Sequence, residues 1–258
     1  MASNYEDITL LYEKAIRKVT SNISAWQEFL KCSGHNYKLP FDELLLVYEQ
    51  KSSAKAVLPI EIWNRAFNRI VNRGSKGIAV FDKAIPDGRQ RLKYYFDISD
   101  THASEKLPEK SIPVWSMKPE YEKPVIEALE NTFGELDSKE QFGAALMSVS
   151  EIITGDNLDD YMDDLGLNTD GSFLEELDKE NLCVVYRQAV CVSVAYMLME
   201  RLGVKSEDYL ELSDFVYVAE FNTKATAGAL GVASFEIAKM VLDEAEKTIK
   251  ALQREENK

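Results

Sequence analysis

The densest run of chemically capable side chains lies between residues 31 and 95, where cations alternate with aromatic rings. Trp63, Arg65, Phe67 and Arg69 lead into Asn72-Arg73-Gly74-Ser75-Lys76-Gly77, and Arg89, Arg91, Lys93, Tyr94 and Tyr95 follow. Arginine and lysine neutralise phosphates and flat rings beside them stack on bases, the combination that single-stranded nucleic acid requires. On one helix, Arg65 and Arg69 are i,i+4 neighbours and reach the same surface. In a strand, Arg91, Lys93 and Tyr95 alternate onto a single face. The candidate nucleic-acid-binding set is therefore Arg65, Arg69, Arg73, Lys76, Arg91, Lys93, Tyr94, Tyr95 and Trp63.

Other chemistries fail on count or spacing. His35 and His102 are the only histidines, so no HExxH pair exists, although zinc hydrolysis of that type needs two one turn apart. Cys183 and Cys191 are two helical turns apart but lack a third ligand, and Cys32 with His35 falls at a helix end. The acids Asp156, Asp159, Asp160, Asp163 and Asp164 precede Asn168-Thr169-Asp170-Gly171 and suggest a calcium loop. With Asp170-Gly171 at loop positions 5 and 6, position 1 becomes Gly166 and position 12 Leu177, so two essential ligands are missing. The segment 72–77 has neither the length nor the order of a phosphate-cradling Walker loop. No catalytic residue, metal or cofactor is expected, and the chain reads as non-enzymatic.

These side chains need a frame. The chain has 258 residues, 45% hydrophobic and 29% charged, enough to bury a sizeable core. Its net charge of -14 is unevenly placed: residues 1–100 carry 15 basic against 12 acidic side chains, whereas the rest carries 15 against 32. Apolar spacing predicts helices over about 6–20 and from Ser24 as N-cap, then two more entered through Pro40 and Pro59, the latter running to Val71. GIAVFDKAI and RLKYYFDIS around Pro86-Asp87-Gly88 read as a β-hairpin. Residues 102–118, with Pro108, Pro113 and Trp115, read as a linker or long loop.

Beyond it, helices are expected at about 119–133, 138–154, 158–165, 179–202, 206–221 and 226–253, with Gly203 closing the apolar run before it. The expected fold is α+β: an N-terminal unit (1–101) of helices with a small antiparallel sheet, and a mostly helical acidic unit (119–258). No uninterrupted run of about 18 apolar residues occurs, so no transmembrane helix is expected. The acidic N-terminus is unlike a secretory signal, and three cysteines suit reduced thiols, so a cytoplasmic location is expected. The terminal QREENK is expected to fray, and could mark where a longer parent chain was cut.

The run LPFDELLLVYEQKSSAKAVLPIEIWNRAFNRIVNRGSKGIAVFD resembles the N-terminal domain of ArdC-type antirestriction proteins. It is closer still to the leading region of large helicase–methylase proteins of Gram-positive conjugative elements. The marks are a helix from Phe41 to Gln50, then Trp63, then Arg73-Gly74-x-Lys76-Gly77 before a strand, with Phe96-Asp97-x-Ser99-Asp100-Thr101 closing the module. The resemblance covers about residues 24–101 and implies single-stranded DNA binding, linked to antirestriction or protection of transferred DNA. QAVCVSVAYMLMERLGV and GALGVASFEIAKMVLDEAEKTI resemble helices of the family's metallopeptidase-like unit. Where that family places HExxH, this chain has helices such as EQFGAALMSVSEI without histidine, so the resemblance implies a pseudo-peptidase half with no metal ligand to carry over.

A reading from another class starts from residues 156–180, a stretch dense in acids with a single lysine. Such a surface can mimic DNA or dock a basic protein partner. The leading expectation is a cytoplasmic single-stranded DNA-binding protein, or fragment, of a plasmid or other mobile genetic element. The alternative is a protein-interaction module.

Overall fold

The computed structural model describes residues 4–82, 91–105, 108, 110 and 114–256. The fold is α+β with a mostly helical C-terminal part, as composition and periodicity predict. Helix α1 (Tyr5–Val19) is capped by Asn4, whose side chain accepts the Asp7 N–H. Helix α2 (Ile23–His35) starts one residue before the expected cap: Asn22, not Ser24, accepts the Ala25 N–H. Pro40 leads into α3 (Phe41–Gln50). A short strand β1 (Val57–Pro59) then precedes α4 (Ile60–Phe67).

Here the structure departs from the expected long helix. Asn68 adopts a left-handed conformation, φ 55°, which few side chains tolerate and asparagine does. It ends α4, and Arg69–Val71 becomes strand β2. The hairpin strands are β3 (Ile78–Phe81) and β4 (Leu92–Asp97), paired antiparallel with Ile78 opposite Tyr95 and Val80 opposite Lys93. The turn Pro86-Asp87-Gly88, with Arg89, lies outside the described residues. Strand β1 adds to the other edge of β4, giving the order β1-β4-β3. Strand β5 (Thr101–Ala103) pairs with β2 as a separate ribbon, taking its residues from the expected boundary of the N-terminal unit.

The C-terminal part holds α5 (Glu122–Phe133), α6 (Phe142–Gly166), α7 (Lys179–Leu202) and α8 (Lys224–Glu256). The two helices expected at 138–154 and 158–165 are one continuous α6. Gly155 and Asp156 fall in the gap between the two expected helices, but a single glycine in a helix costs only about 1 kcal/mol. The segment 206–221 forms 3-10 turns (Ser206–Asp208 and Leu212–Glu220) rather than an α-helix. Gly203 at φ 75° caps α7 as expected.

Helix α3 explains the layering. Phe41, Leu44, Leu45 and Tyr48 face the helical body, whereas Leu46 and Val47 face the sheet with Ile8, Val57, Ile78, Val80 and Tyr95. The sheet, the helices α1 and α3, and the α6–α7–α8 bundle are thus stacked, with α2 against α7. Residues on both sides of 102–118 share one apolar core: Trp26, Phe29 and Phe41 pack on Phe235, and Trp26 donates its indole N–H to Ser193 Oγ at 2.8 Å. The segment 102–118 therefore does not divide two cores. The smaller cluster under the sheet is the separate one.

By length and mean hydropathy α7 and α8 would suffice to cross a membrane, even without an uninterrupted apolar run. Most of each apolar window is buried inside the fold, the condition of a core helix.

Candidate functional site

Strand register decides which cations face outward. In β4 the odd positions point toward α3, so Tyr95 is buried and donates its hydroxyl to Glu43 Oε2 at 2.7 Å. Lys93 Nζ lies 2.7 Å from Glu43 Oε1 and 5.3 Å from the Tyr95 ring centroid. Burial and the Glu43 hydrogen bond push the Tyr95 hydroxyl up to about 12. Burial pulls the Lys93 ammonium down, but hydrogen bonds to Glu43 and Tyr95 outweigh it and raise its pKa. These two residues hold β4 onto α3 and are spent on that contact. Tyr94, an even position, is the outward ring, 40% exposed.

Trp63 is removed from the stacking set as well. Its side chain is 0% exposed, packs on Phe67 at 5.6 Å between centroids, and donates its indole N–H to the Phe96 carbonyl at 2.8 Å. Because α4 ends at Phe67, Arg65 and Arg69 are not helical neighbours. Arg69 donates from Nε to Thr101 Oγ1 at 2.8 Å and from Nη2 to the Thr101 carbonyl at 2.9 Å, clamping β2 to β5. Arg65 and Arg91 are exposed, Arg65 on α4 and Arg91 just before β4.

The turn after β2 keeps its cations outward. Asn72 N–H donates to the Asp100 carbonyl at 2.8 Å, Ser75 N–H to the Asn72 carbonyl at 3.1 Å, and Gly74 sits at φ 90°. The Asn72 side chain meets His102 Nδ1 at 2.6 Å. Arg73 and Lys76 are exposed on this turn, and among the described residues neither has an ion-pair partner. Gly77 brings the turn against Tyr94 and Phe96: a methyl there would meet Tyr94 Cδ1 and Phe96 Cζ at 3.2 Å. Arg73 and Lys76 thus sit on a turn whose Gly77 packs against Tyr94 and Phe96. Lys76 also borders a cleft of about 560 Å³ that it shares with Asp7, Glu49 and Asp100 on the α1–α3 side.

Part of the basic excess of residues 31–93 is answered by acids distant in the sequence. Lys31 pairs with Glu200 at 2.8 Å, Lys51 with Asp100 at 2.8 Å, and Lys38 with Glu246. Asp97 accepts the backbone N–H groups of Lys55 and Ala56, at 2.8 and 3.0 Å, and the Ser99 hydroxyl at 2.6 Å. Burial opposes its ionisation, but these donors hold it below the usual carboxylate range.

A second cationic group, absent from the sequence-derived set, lies where α2, α7 and Trp115 meet. Arg201 of α7 lies flat over the Trp115 indole, Cζ 3.3 Å from the ring centroid, and donates from Nη2 to the Trp115 carbonyl at 2.9 Å. Arg201 sits in the last turn of an apolar helix, where a lone arginine reads as a terminal charge, so its burial leaves no local signal. Among the described residues no group of three or more His, Cys, Asp or Glu side chains could hold a metal ion.

Comparison of the chain with protein-family models, with curated proteins and with solved structures finds no match.

Proposed function

We propose that the chain binds single-stranded DNA along the sheet edge formed by Arg73, Lys76 and Tyr94, with Arg65 extending the cationic track. The supporting observation is a turn that carries two exposed cations, neither ion-paired among the described residues, and whose Gly77 packs on the exposed Tyr94. Cations track the phosphates while the ring accepts a base. Trp63, Tyr95, Lys93 and Arg69 act inside this surface, as the supports that fix its shape. The resemblance of residues 24–101 to ArdC-type domains points the same way, and extends the proposal to DNA protection or antirestriction in a mobile element.

The test is fluorescence anisotropy of labelled oligothymidine, beside its duplex counterpart, from about 50 to about 200 mM salt. Three phosphate contacts, by Arg65, Arg73 and Lys76, give a log–log salt slope of about -2, hence a roughly fifteenfold loss of affinity across that range. Arg73→Glu with Lys76→Glu should abolish binding, and Tyr94→Ala should weaken it by about 1–3 kcal/mol. Absence of single-strand binding at the lowest salt would overturn the proposal.

One observation favours a second reading. Asp159, Asp160, Asp163 and Asp164 are exposed at the C-terminal end of α6, where the helix dipole adds negative potential. Leu167 (82% exposed) and Phe173 (67%) project beside them. That surface suits a basic, partly apolar protein partner. Neutralising the four aspartates should remove such an interaction and leave oligothymidine binding in place.

A further inference from the structure

A buried guanidinium normally faces a carboxylate, because an unpaired charge away from water is costly. Arg201 is 9% exposed and has no such partner among the described residues. Its Nε is buried without any hydrogen-bond acceptor, and Nη2 reaches only a backbone carbonyl. The nearby carboxylate, Glu246, is engaged by Lys38, Lys250 and the Tyr37 hydroxyl. Burial pulls the guanidinium down to about 10, against the opposing pull of the Tyr37 and Glu246 charges. Stacking on Trp115 offsets part of this cost but supplies no acceptor for the N–H groups.

Arg201 lines two openings, a pocket of about 120 Å³ and a wider cleft of about 430 Å³. His35, Lys55, Val114 and Trp115 line both. Lys55 has no ion pair among the described residues. His35, at the end of α2, has its pKa lowered by burial first, then by the charges of Arg201 and Lys55, with Glu200 opposing and Lys31 adding to the effect. Arg201, Lys55 and His35 border one space lined on its apolar side by Leu39, Val57 and Leu58. Lys38 and Glu246 also line the pocket, and Lys118, Glu122 and Glu200 the wider cleft. Of these acids, Glu246 and Glu200 are already engaged by Lys38 and Lys31. A single carboxylate would leave part of this charge unanswered, whereas a phosphate monoester dianion answers more of it.

We infer that the Arg201 cleft binds a phosphate monoester, held by Arg201, Lys55 and His35, with the rest of the molecule in the wider opening beside Trp115 and Met117. The phosphate belongs either to a small metabolite of nucleotide type or to the phosphorylated 5′ end of a DNA strand. This site is independent of the Arg73–Lys76 edge and stands or falls without it.

The chain carries a reporter at each place: His35 in the cleft, and His102, hydrogen-bonded to Asn72, beside Arg73. Proton NMR titration of the two imidazoles with inorganic phosphate, a 5′-mononucleotide, and oligothymidine with and without a 5′-phosphate reads both. The expected result is that a phosphate monoester shifts the His35 resonance and raises its pKa while His102 stays still. Tighter binding of the mononucleotide identifies a small metabolite; tighter binding of the 5′-phosphorylated strand over its hydroxyl counterpart identifies a DNA end. Lys55→Gln, an exposed change away from the buried core, should weaken the response about tenfold. Arg201→Gln should abolish it in a chain that keeps its far-ultraviolet dichroism. No His35 shift with any of the probes, or an undiminished one in Lys55→Gln, would overturn the inference. A strand without 5′-phosphate that moves only His102 speaks for the sheet edge alone.

Discussion

Gly231 of α8 lies directly beneath the ring of Phe41 from α3. A methyl group at residue 231 would come within 2.1 Å of Phe41 Cε2 and 2.3 Å of Cζ. Carbon atoms in contact prefer about 3.5–4.0 Å, so the ring must retreat by roughly 1.5 Å. Phe29 and Phe235 crowd it, with ring centroids 5.9 and 5.7 Å away, so the retreat is resisted. Overpacking of this kind costs about 1–3 kcal/mol, against a helix-propensity gain of about 1 kcal/mol for alanine over glycine. Gly231→Ala should therefore destabilise the chain by up to about 2 kcal/mol. Phe41→Ala should itself cost about 3–5 kcal/mol. In that background the methyl enters space the ring has left, and Gly231→Ala should become stabilising, by up to about 1 kcal/mol. The assay is urea denaturation followed by circular dichroism, with matched m values across the four proteins. Equal effects of Gly231→Ala in both backgrounds, within about 0.5 kcal/mol, would refute the shared core between the first fifty residues and the last helix.

Three further outcomes are expected. Trp63→Phe keeps most of the buried ring but leaves the Phe96 carbonyl without its indole donor; it should cost about 1–3 kcal/mol in denaturation while oligothymidine affinity stays within about twofold. Acid should destabilise the fold through Glu246 and Asp97. Burial opposes ionisation of both, yet their hydrogen bonds hold the folded pKa values below normal, so their stabilisation is present above the ordinary carboxylate range and lost as pH falls through the folded values. Denaturation midpoints between about pH 6 and pH 3 should fall, and Glu246→Gln should flatten that fall at the price of lower stability at neutral pH. The Cys32 thiol, pushed up to about 12 by burial and then by the charge of Asp97, should resist alkylation at pH 8 in the native chain and react once urea unfolds it.

Local patterns carried much of the fold. The spacing in α1, the Pro40 entry to α3, the apolar run of α7 and its Gly203 cap all describe interactions within a few residues. The end of α4 was hidden because Ile70 and Val71 continue a helical apolar period, and only the left-handed Asn68 breaks it. The site was less legible for a different reason. A strand pattern shows that Arg91, Lys93 and Tyr95 share a face, but not which face meets the core. That choice is made by Glu43, about fifty residues away, which accepts from both Lys93 and Tyr95. Arg201 was hidden by distance too, since its stacking partner Trp115 is separated from it by most of α5, α6 and α7.

The packing of Phe41 over Gly231 also has a bearing on how the chain is made. The aromatic surface of Phe29 and Phe41 is finished only when Phe235 and Gly231 arrive, about 190 residues later in synthesis. At about 5–20 residues per second, that leaves the nascent helices waiting for roughly ten seconds or more. During that interval their greasy side has no permanent partner and must be shielded by transient contacts or by a chaperone. Ribosome-bound chains halted before α8 should accordingly be protease-sensitive across α2 and α3, and release of the last helix should protect all three together.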